Sequence, residues 1–189
     1  MADTTIDPTL GPVLARTGDE RAVLEAFLDF HRAIVLRKVG GLSDADAGRR
    51  LVPQVTGRGT ADDDLQAVTS LTTLAGLLKH LALVERNWFP CLFAPEPGDV
   101  YLTSEEEAEA SFTLDPGETV ESLAAGYEAA CARSRAVAAR FDLDHVVPHP
   151  QLGEVSLRWV LVHLIEETAR HAGHADILRE LTDGSTGAL

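Results

Sequence analysis

Four long segments of this 189-residue chain repeat their apolar residues with the period of an α-helix. This feature constrains the fold most, because each segment must bury one apolar stripe against the others. Aromatic residues make up only 5% of the chain, so the core must be built mainly from Leu, Val and Ala, which suit helices. The four segments cover residues 17–40, 73–89, 116–141 and 156–184.

These segments predict an all-α fold, a four-helix bundle with long connections between its helices. We expect a single domain over residues 1–189, with residues 1–16 as a flexible N-terminal tail. Residues 53–69 are rich in Gly, Asp and Thr and predict an irregular surface loop. Residues 94–114, with their acidic run at 105–107, predict a second solvated connection.

Start and stop signals predict where the helices begin and end. Thr17 and Glu20 have the spacing of a capping box at the start of the first helix. Pro90 ends or kinks the second helix. Asp115, followed directly by a proline, favours a helix start at the third segment. The connector before the fourth helix contains His149, which we expect to be solvated.

Charge and composition exclude several classes of function. The chain has 16 Lys and Arg against 30 Asp and Glu, a net charge of −14, so it should repel nucleic acids. No apolar run approaches the roughly 18–20 residues that cross a bilayer, so we expect no membrane insertion. Without a signal sequence, Cys91 and Cys131 predict two free thiols and a cytoplasmic location.

The fourth helix combines an apolar stripe with ionisable residues. At 100° per residue His171 falls inside the stripe and Glu167 falls on its edge, one turn earlier. The stripe itself contains Leu157, Val160, Leu161, Leu164, Thr168, Ala175 and Leu178. On the second helix His80 shares the inward face with Leu77. A carboxylate and two imidazoles left unpaired in an apolar core would be costly, and a shared divalent cation would remove that cost.

Other interpretations of the same residues remain open. His80 could be a core histidine bound to a backbone carbonyl, and Glu167 with His171 could form a charge-assisted pair. His163 and His174 lie just outside the stripe, on the same side as Glu167. They are candidate catalytic residues that could orient a ligand or move a proton, or else surface histidines.

Two stretches resemble a known family. His80 in Leu-Lys-His-Leu-Ala, together with the segment from His163 to Asp176, resembles the DinB-like superfamily, in its actinobacterial branch near mycothiol-dependent maleylpyruvate isomerase and mycothiol S-transferases. The resemblance implies a four-helix bundle that holds a divalent metal through His80, Glu167 and His171. Many members have His where this chain has Glu167, and the maleylpyruvate isomerase type has Glu.

The resemblance also implies a chemistry. Three protein ligands leave coordination positions open, as in catalytic sites. We expect a metal-dependent transfer of a mycothiol-like thiol to a small electrophile, with Zn as the first choice of metal and Ni, Fe or Mn as alternatives. A metal-dependent hydrolase or isomerase without a thiol, and a non-catalytic, stress-related metal-binding bundle, are the competing interpretations. A homodimer is a further expectation that no particular residue supports.

Overall fold

A computed structural model of the chain describes residues 7–51, 72–102 and 104–187. The predicted loop at 53–69 lies outside the described residues. The elements, in chain order after a 3-10 turn at Pro8–Leu10, are α1 (Gly11–Leu14), α2 (Glu20–Val39), α3 (Asp44–Ala47), α4 (Leu74–Trp88), α5 (Pro90–Phe93), α6 (Glu105–Ala110), α7 (Val120–Ala138), β1 (Val146–His149), β2 (Gly153–Ser156) and α8 (Leu157–Asp183).

The four long helices α2, α4, α7 and α8 form the predicted bundle. Helix α2 packs along α8, and α4 packs along α7. The core contains the Leu and Val residues that define the helical stripes, and every predicted stripe residue of α8 is buried. The all-α, four-helix fold is therefore confirmed. No described helix is both long and apolar enough to cross a membrane.

Two predicted helix starts were wrong, and one reason is visible in the structure. Helix α2 is capped by Asp19, whose side chain accepts from Ala22 N, and not by Thr17. The predicted start at Asp115 is a turn instead, because Gly117 has φ +90, which no helix accommodates. The cap of helix α7 lies four residues later, at Thr119, which forms a reciprocal capping pair with Ser122.

The N-terminal segment and the connector before α8 carry more structure than the sequence suggests. Within the predicted tail, residues 8–14 form short helical turns that lie against α2. Strands β1 and β2 pair antiparallel, and Val147 pairs with Val155 on the buried face. The expectation that His149 is solvated was wrong, since it follows Val147 on that face and is only 6% exposed.

The segment after α6 lies directly on the backbone of α4 at Gly76. A Cβ atom built on Gly76 would lie 2.5 Å from the carbonyl oxygen of Phe112, closer than packed atoms allow. Gly76→Ala must therefore displace this segment, and we expect it to lower the free energy of unfolding by about 1–3 kcal/mol, as overpacking typically does. Urea unfolding measures the change.

Gly126→Ala is the matched control, because it makes the same change in the middle of α7 with nothing within 4 Å of the new methyl group. It should leave stability unchanged or raise it by up to about 1 kcal/mol. Equal effects of the two substitutions would contradict the close packing at Gly76.

Candidate metal centre

Helices α4 and α8 bring the three predicted ligands together. His80, Glu167 and His171 each contribute one potential ligand atom, and these atoms all lie within 4.8 Å of one another. Glu167 Oε1 is 2.9 Å from His171 Nε2 and 3.4 Å from His80 Nε2. A single carboxylate oxygen thus faces one nitrogen of each ring, as in a site built to share one cation.

The carboxyl group of Glu167 is ionised in this setting. Its burial acts to raise the pKa, but the contacts with His171, His80 and Arg170 outweigh burial and hold the pKa of Glu167 well below its usual range. Arg170 donates to the second carboxylate oxygen, Oε2, from the solvent side. The first oxygen is left facing the two buried imidazoles.

A hydrogen bond from outside the cluster orients the ring of His80. The Ser111 hydroxyl, just after α6, donates its one proton to the carbonyl oxygen of Ala108. The contact of 2.9 Å between Ser111 Oγ and His80 Nδ1 must therefore be a bond that the ring donates. In the neutral ring, the lone pair is then at Nε2, facing Glu167. A lone pair and a carboxylate that face each other require a positive charge between them, either a proton or a metal ion.

The ring of His171 is buried and presents Nε2 to Glu167. His171 is 4% exposed, and its Nδ1 has no hydrogen-bond partner among the described residues. The interpretation of Glu167 and His171 as a self-contained pair leaves the His80 lone pair unexplained. The donor set, two imidazole nitrogens and a carboxylate oxygen, is one that Zn²⁺ and its neighbours accept. The residues present fit a divalent metal.

The hydrogen bond from His80 to Ser111 should support metal affinity. Ser111→Ala removes the acceptor that holds the ring and its lone pair in place, and loss of such a partner typically costs about 10–100-fold in metal affinity. A competition titration with a chromogenic chelator measures this loss. Ser104→Ala is the control, since it removes the cap of the same helix α6 without touching His80, and should change affinity less than threefold. Equal affinities in the two variants would show that Ser111 does not act through His80.

A cavity of about 240 Å³ opens beside the cluster. His80 and Glu167 form part of its wall, so a ligand in the cavity would reach the cluster directly. The remaining wall consists of Leu83, Val84, Asn87, Trp88, Tyr101, Leu102, Ser104 and Ala108. Apolar walls with a few polar groups at one end are typical of sites for small organic ligands.

A family model for mycothiol-S-transferases matches residues 56–184, more than half of the chain. The chain belongs to the mycothiol-S-transferase family. The matched region contains the three cluster residues and the cavity wall, whereas helix α2 lies outside it. A comparison with curated proteins found no match. At the level of the family, the match supports an S-transferase function that uses mycothiol, as the resemblance implied.

In this mycothiol-S-transferase family member, the two predicted catalytic histidines occupy different settings. His163 is half-buried and stacks on Trp159, with its ring edge-on to Trp88. His174 is exposed and lies edge-on to His171, with 5.5 Å between ring centroids. Burial lowers the pKa of both rings. Neither ring has a hydrogen bond to the three cluster residues among those described, so their catalytic roles stay predictions.

Sequence reasoning missed Ser111, Tyr101 and His149, which surround the cluster or its cavity. All three lie in the connections 94–114 and 142–156, where no helical period assigns a side chain to a face. The alternation of exposed and buried residues in β1 could have indicated that His149 is buried, but the strand is only four residues long.

Proposed function

We propose that this mycothiol-S-transferase family member binds a divalent metal through His80, Glu167 and His171, and transfers a mycothiol-like thiol to a small electrophile. The convergence of the three ligand atoms beside a cavity supports the proposal most directly. The family match supports the thiol as the second substrate. Zn²⁺ is our first choice of metal, and Ni²⁺, Fe²⁺ and Mn²⁺ suit the same ligands.

Different residues of this chain would contribute different functions to such a reaction. A divalent cation at this site would lower the pKa of a coordinating thiol, so that the thiol reacts as a thiolate near neutral pH. Glu167 contributes a negative charge that offsets part of the charge of the cation, while the two imidazoles are neutral ligands. Ser111 holds His80 in the tautomer that presents its lone pair. The apolar wall of Leu83 and Val84 excludes water around the reacting sulfur.

His163 and His174 are proposed to move protons at the edge of the site. Each lies on α8 near the cluster, and a lowered pKa keeps each ring neutral at physiological pH and able to accept a proton. The cytoplasmic location and the homodimer expected from the sequence stay predictions.

The experiment that tests the proposal compares the metal-stripped protein with protein reloaded with Zn²⁺, Ni²⁺ or Mn²⁺. Mycothiol and either 2-cyclohexenone or benzyl bromide are the substrates, and chromatography quantifies the thioether. We expect thioether formation only in reloaded protein. Turnover that survives metal removal would contradict the proposal. Metal-dependent turnover without thiol would select the hydrolase or isomerase, and metal binding without any turnover would select the non-catalytic bundle.

A further inference from the structure

Tyr101 lines the cavity that His80 and Glu167 border, and its hydroxyl group is held by a buried histidine. Tyr101 Oη lies 2.8 Å from Nε2 of His149, in strand β1. The direction of this hydrogen bond decides what the tyrosine can offer to a ligand, because a hydroxyl group has only one proton to donate.

The backbone around His149 determines that direction. Nδ1 of His149 accepts the backbone N–H groups of Gln151 and Leu152, each at 3.1 Å, and so cannot carry a proton. Burial and the nearby His163 lower the pKa of His149, which keeps the ring neutral. The single ring proton is therefore at Nε2, and the ring donates it to Tyr101 Oη. The proton of the tyrosine is left for another acceptor.

Packing on α4 holds Tyr101 in place. Its ring meets the ring of Trp88 edge-on, with 6.0 Å between centroids, and Trp88 also stacks on His149 at 5.0 Å. Asn87 of α4 donates a hydrogen bond from its side-chain amide to the carbonyl oxygen of Leu102 at 3.3 Å and accepts one from the backbone N–H of Leu102 at 3.5 Å. These bonds hold Leu102, the residue after Tyr101, against the same helix. The hydroxyl group is preorganised, which is what a hydrogen-bond donor to developing charge requires.

We propose that Tyr101 is a catalytic residue that donates a hydrogen bond to an oxygen atom of the electrophile, so that the preferred electrophiles are carbonyl compounds with a conjugated double bond. This inference rests on the proposed function. Burial raises the pKa of Tyr101 to about 12, and the hydroxyl group therefore keeps its proton at neutral pH. His149 is a positioning residue, because it acts on the substrate only through Tyr101.

The proposed reaction is a conjugate addition of the thiolate to the enone. The thiolate sulfur forms a bond to the β-carbon of the enone, and the π bond between the α- and β-carbons breaks. Its electron pair moves to the carbonyl oxygen, which becomes an enolate oxygen and receives the hydrogen bond from Tyr101. The α-carbon then takes up one proton from water, equivalent to the proton that the thiol lost, and the product is a thioether. A displacement of bromide from benzyl bromide places no charge on oxygen and needs no such donor.

The test uses Tyr101→Phe, which removes the hydroxyl group and keeps the ring contacts, in the metal-loaded protein with mycothiol. We expect kcat/KM for 2-cyclohexenone to fall about 100–1,000-fold, with a rise in KM and a larger fall in kcat, as when one donor to an oxyanion is removed. For benzyl bromide the change should stay below threefold, which also shows that the variant is folded. An equal loss with both electrophiles would overturn the proposal.

Tyr127→Phe is the matched control. Tyr127 lies on α7, outside the cavity wall, and its buried hydroxyl group is close to Cys131 of the same helix. Tyr127→Phe also removes one hydroxyl oxygen. With this variant, kcat/KM for 2-cyclohexenone and for benzyl bromide should each remain within twofold of the wild-type value. If Tyr127→Phe lowered kcat/KM for 2-cyclohexenone as much as Tyr101→Phe does, the loss would come from a disturbed structure, and the proposal would be overturned.

A binding measurement separates failure of this inference from failure of the proposed function. The chain has two tryptophans, Trp88 and Trp159, whose ring centroids lie 5.6 Å apart. Trp88 lines the cavity, so the tryptophan fluorescence should respond to a bound ligand. Cyclohexanone, which has the carbonyl group but cannot react, should change this fluorescence, and Tyr101→Phe should weaken its Kd about tenfold. If no electrophile turns over, the proposed function fails and this titration still decides the role of Tyr101. No binding, or an unchanged Kd, would overturn the inference.

Discussion

The His171→Ala variant is expected to lose its divalent metal and its thiol transfer together. His171 is buried, and its Nε2 lies 2.9 Å from Glu167 Oε1, so removal of the ring takes away one of three converging ligand atoms. Loss of a supporting hydrogen bond costs up to about 100-fold in metal affinity, and loss of a direct ligand should exceed that figure. Elemental analysis and thioether formation, measured on the same sample, check both effects.

His145→Ala is the control for this variant. His145 is an exposed histidine that stacks on Phe141, away from the cluster. It should keep full metal content and turnover. If His171→Ala retained both, the three residues would not be a metal site. If it kept the metal but lost turnover, His171 would act in the reaction and would not be a ligand.

The second large effect is expected on stability, at the buried ion pair between Arg32 of α2 and Glu85 of α4. The guanidinium group donates from Nε and Nη2 to the two carboxylate oxygens at 2.7 and 2.6 Å, and the side chains are 4% and 1% exposed. Glu85→Gln leaves the Arg32 charge buried, with Asp29, at 2.8 Å, as its one remaining anionic partner among the described residues. We expect the free energy of unfolding, from urea titration, to fall by about 3 kcal/mol, since breaking a buried pair typically costs 3–5 kcal/mol.

Two further variants serve as controls for the Glu85→Gln prediction. Glu96→Gln breaks the exposed pair with Arg133, whose side chains are 70% and 47% exposed, and should cost at most about 1 kcal/mol. The double variant Arg32→Met with Glu85→Leu removes both charges at once and should recover much of the stability that Glu85→Gln loses. A Glu85→Gln variant as stable as Glu96→Gln would contradict the account of a desolvated pair.

The sequence predicted the features that depend on one helix at a time. The helical period on α8 correctly assigned His171 to the buried stripe and Glu167 to its edge, because side-chain direction along a helix follows from spacing alone. That His80 meets them depends on how α4 lies against α8. The cost of burying three unpaired polar groups suggested this contact, and the family resemblance implied the same three residues.

Features that depend on contacts between elements could not be predicted in the same way. Asp115 has the residue type of a helix cap, yet in the structure its carboxylate pairs with Lys79 at 2.6 Å and the helix starts after Thr119. The tautomer of His80 depends on Ser111, a residue 31 positions away in an aperiodic segment. Tyr101 and His149 are similarly far apart, and only the folded chain brings their polar atoms together.

The most direct test of the central claim is the metal content of the wild-type protein, purified without a metal-affinity tag. After incubation with Zn²⁺, Ni²⁺ or Mn²⁺ and dialysis, elemental analysis should find about one divalent ion per chain for at least one of these metals, and close to none in His80→Ala. A wild-type protein that retains no metal after any of these incubations would contradict the claim that His80, Glu167 and His171 form a metal centre.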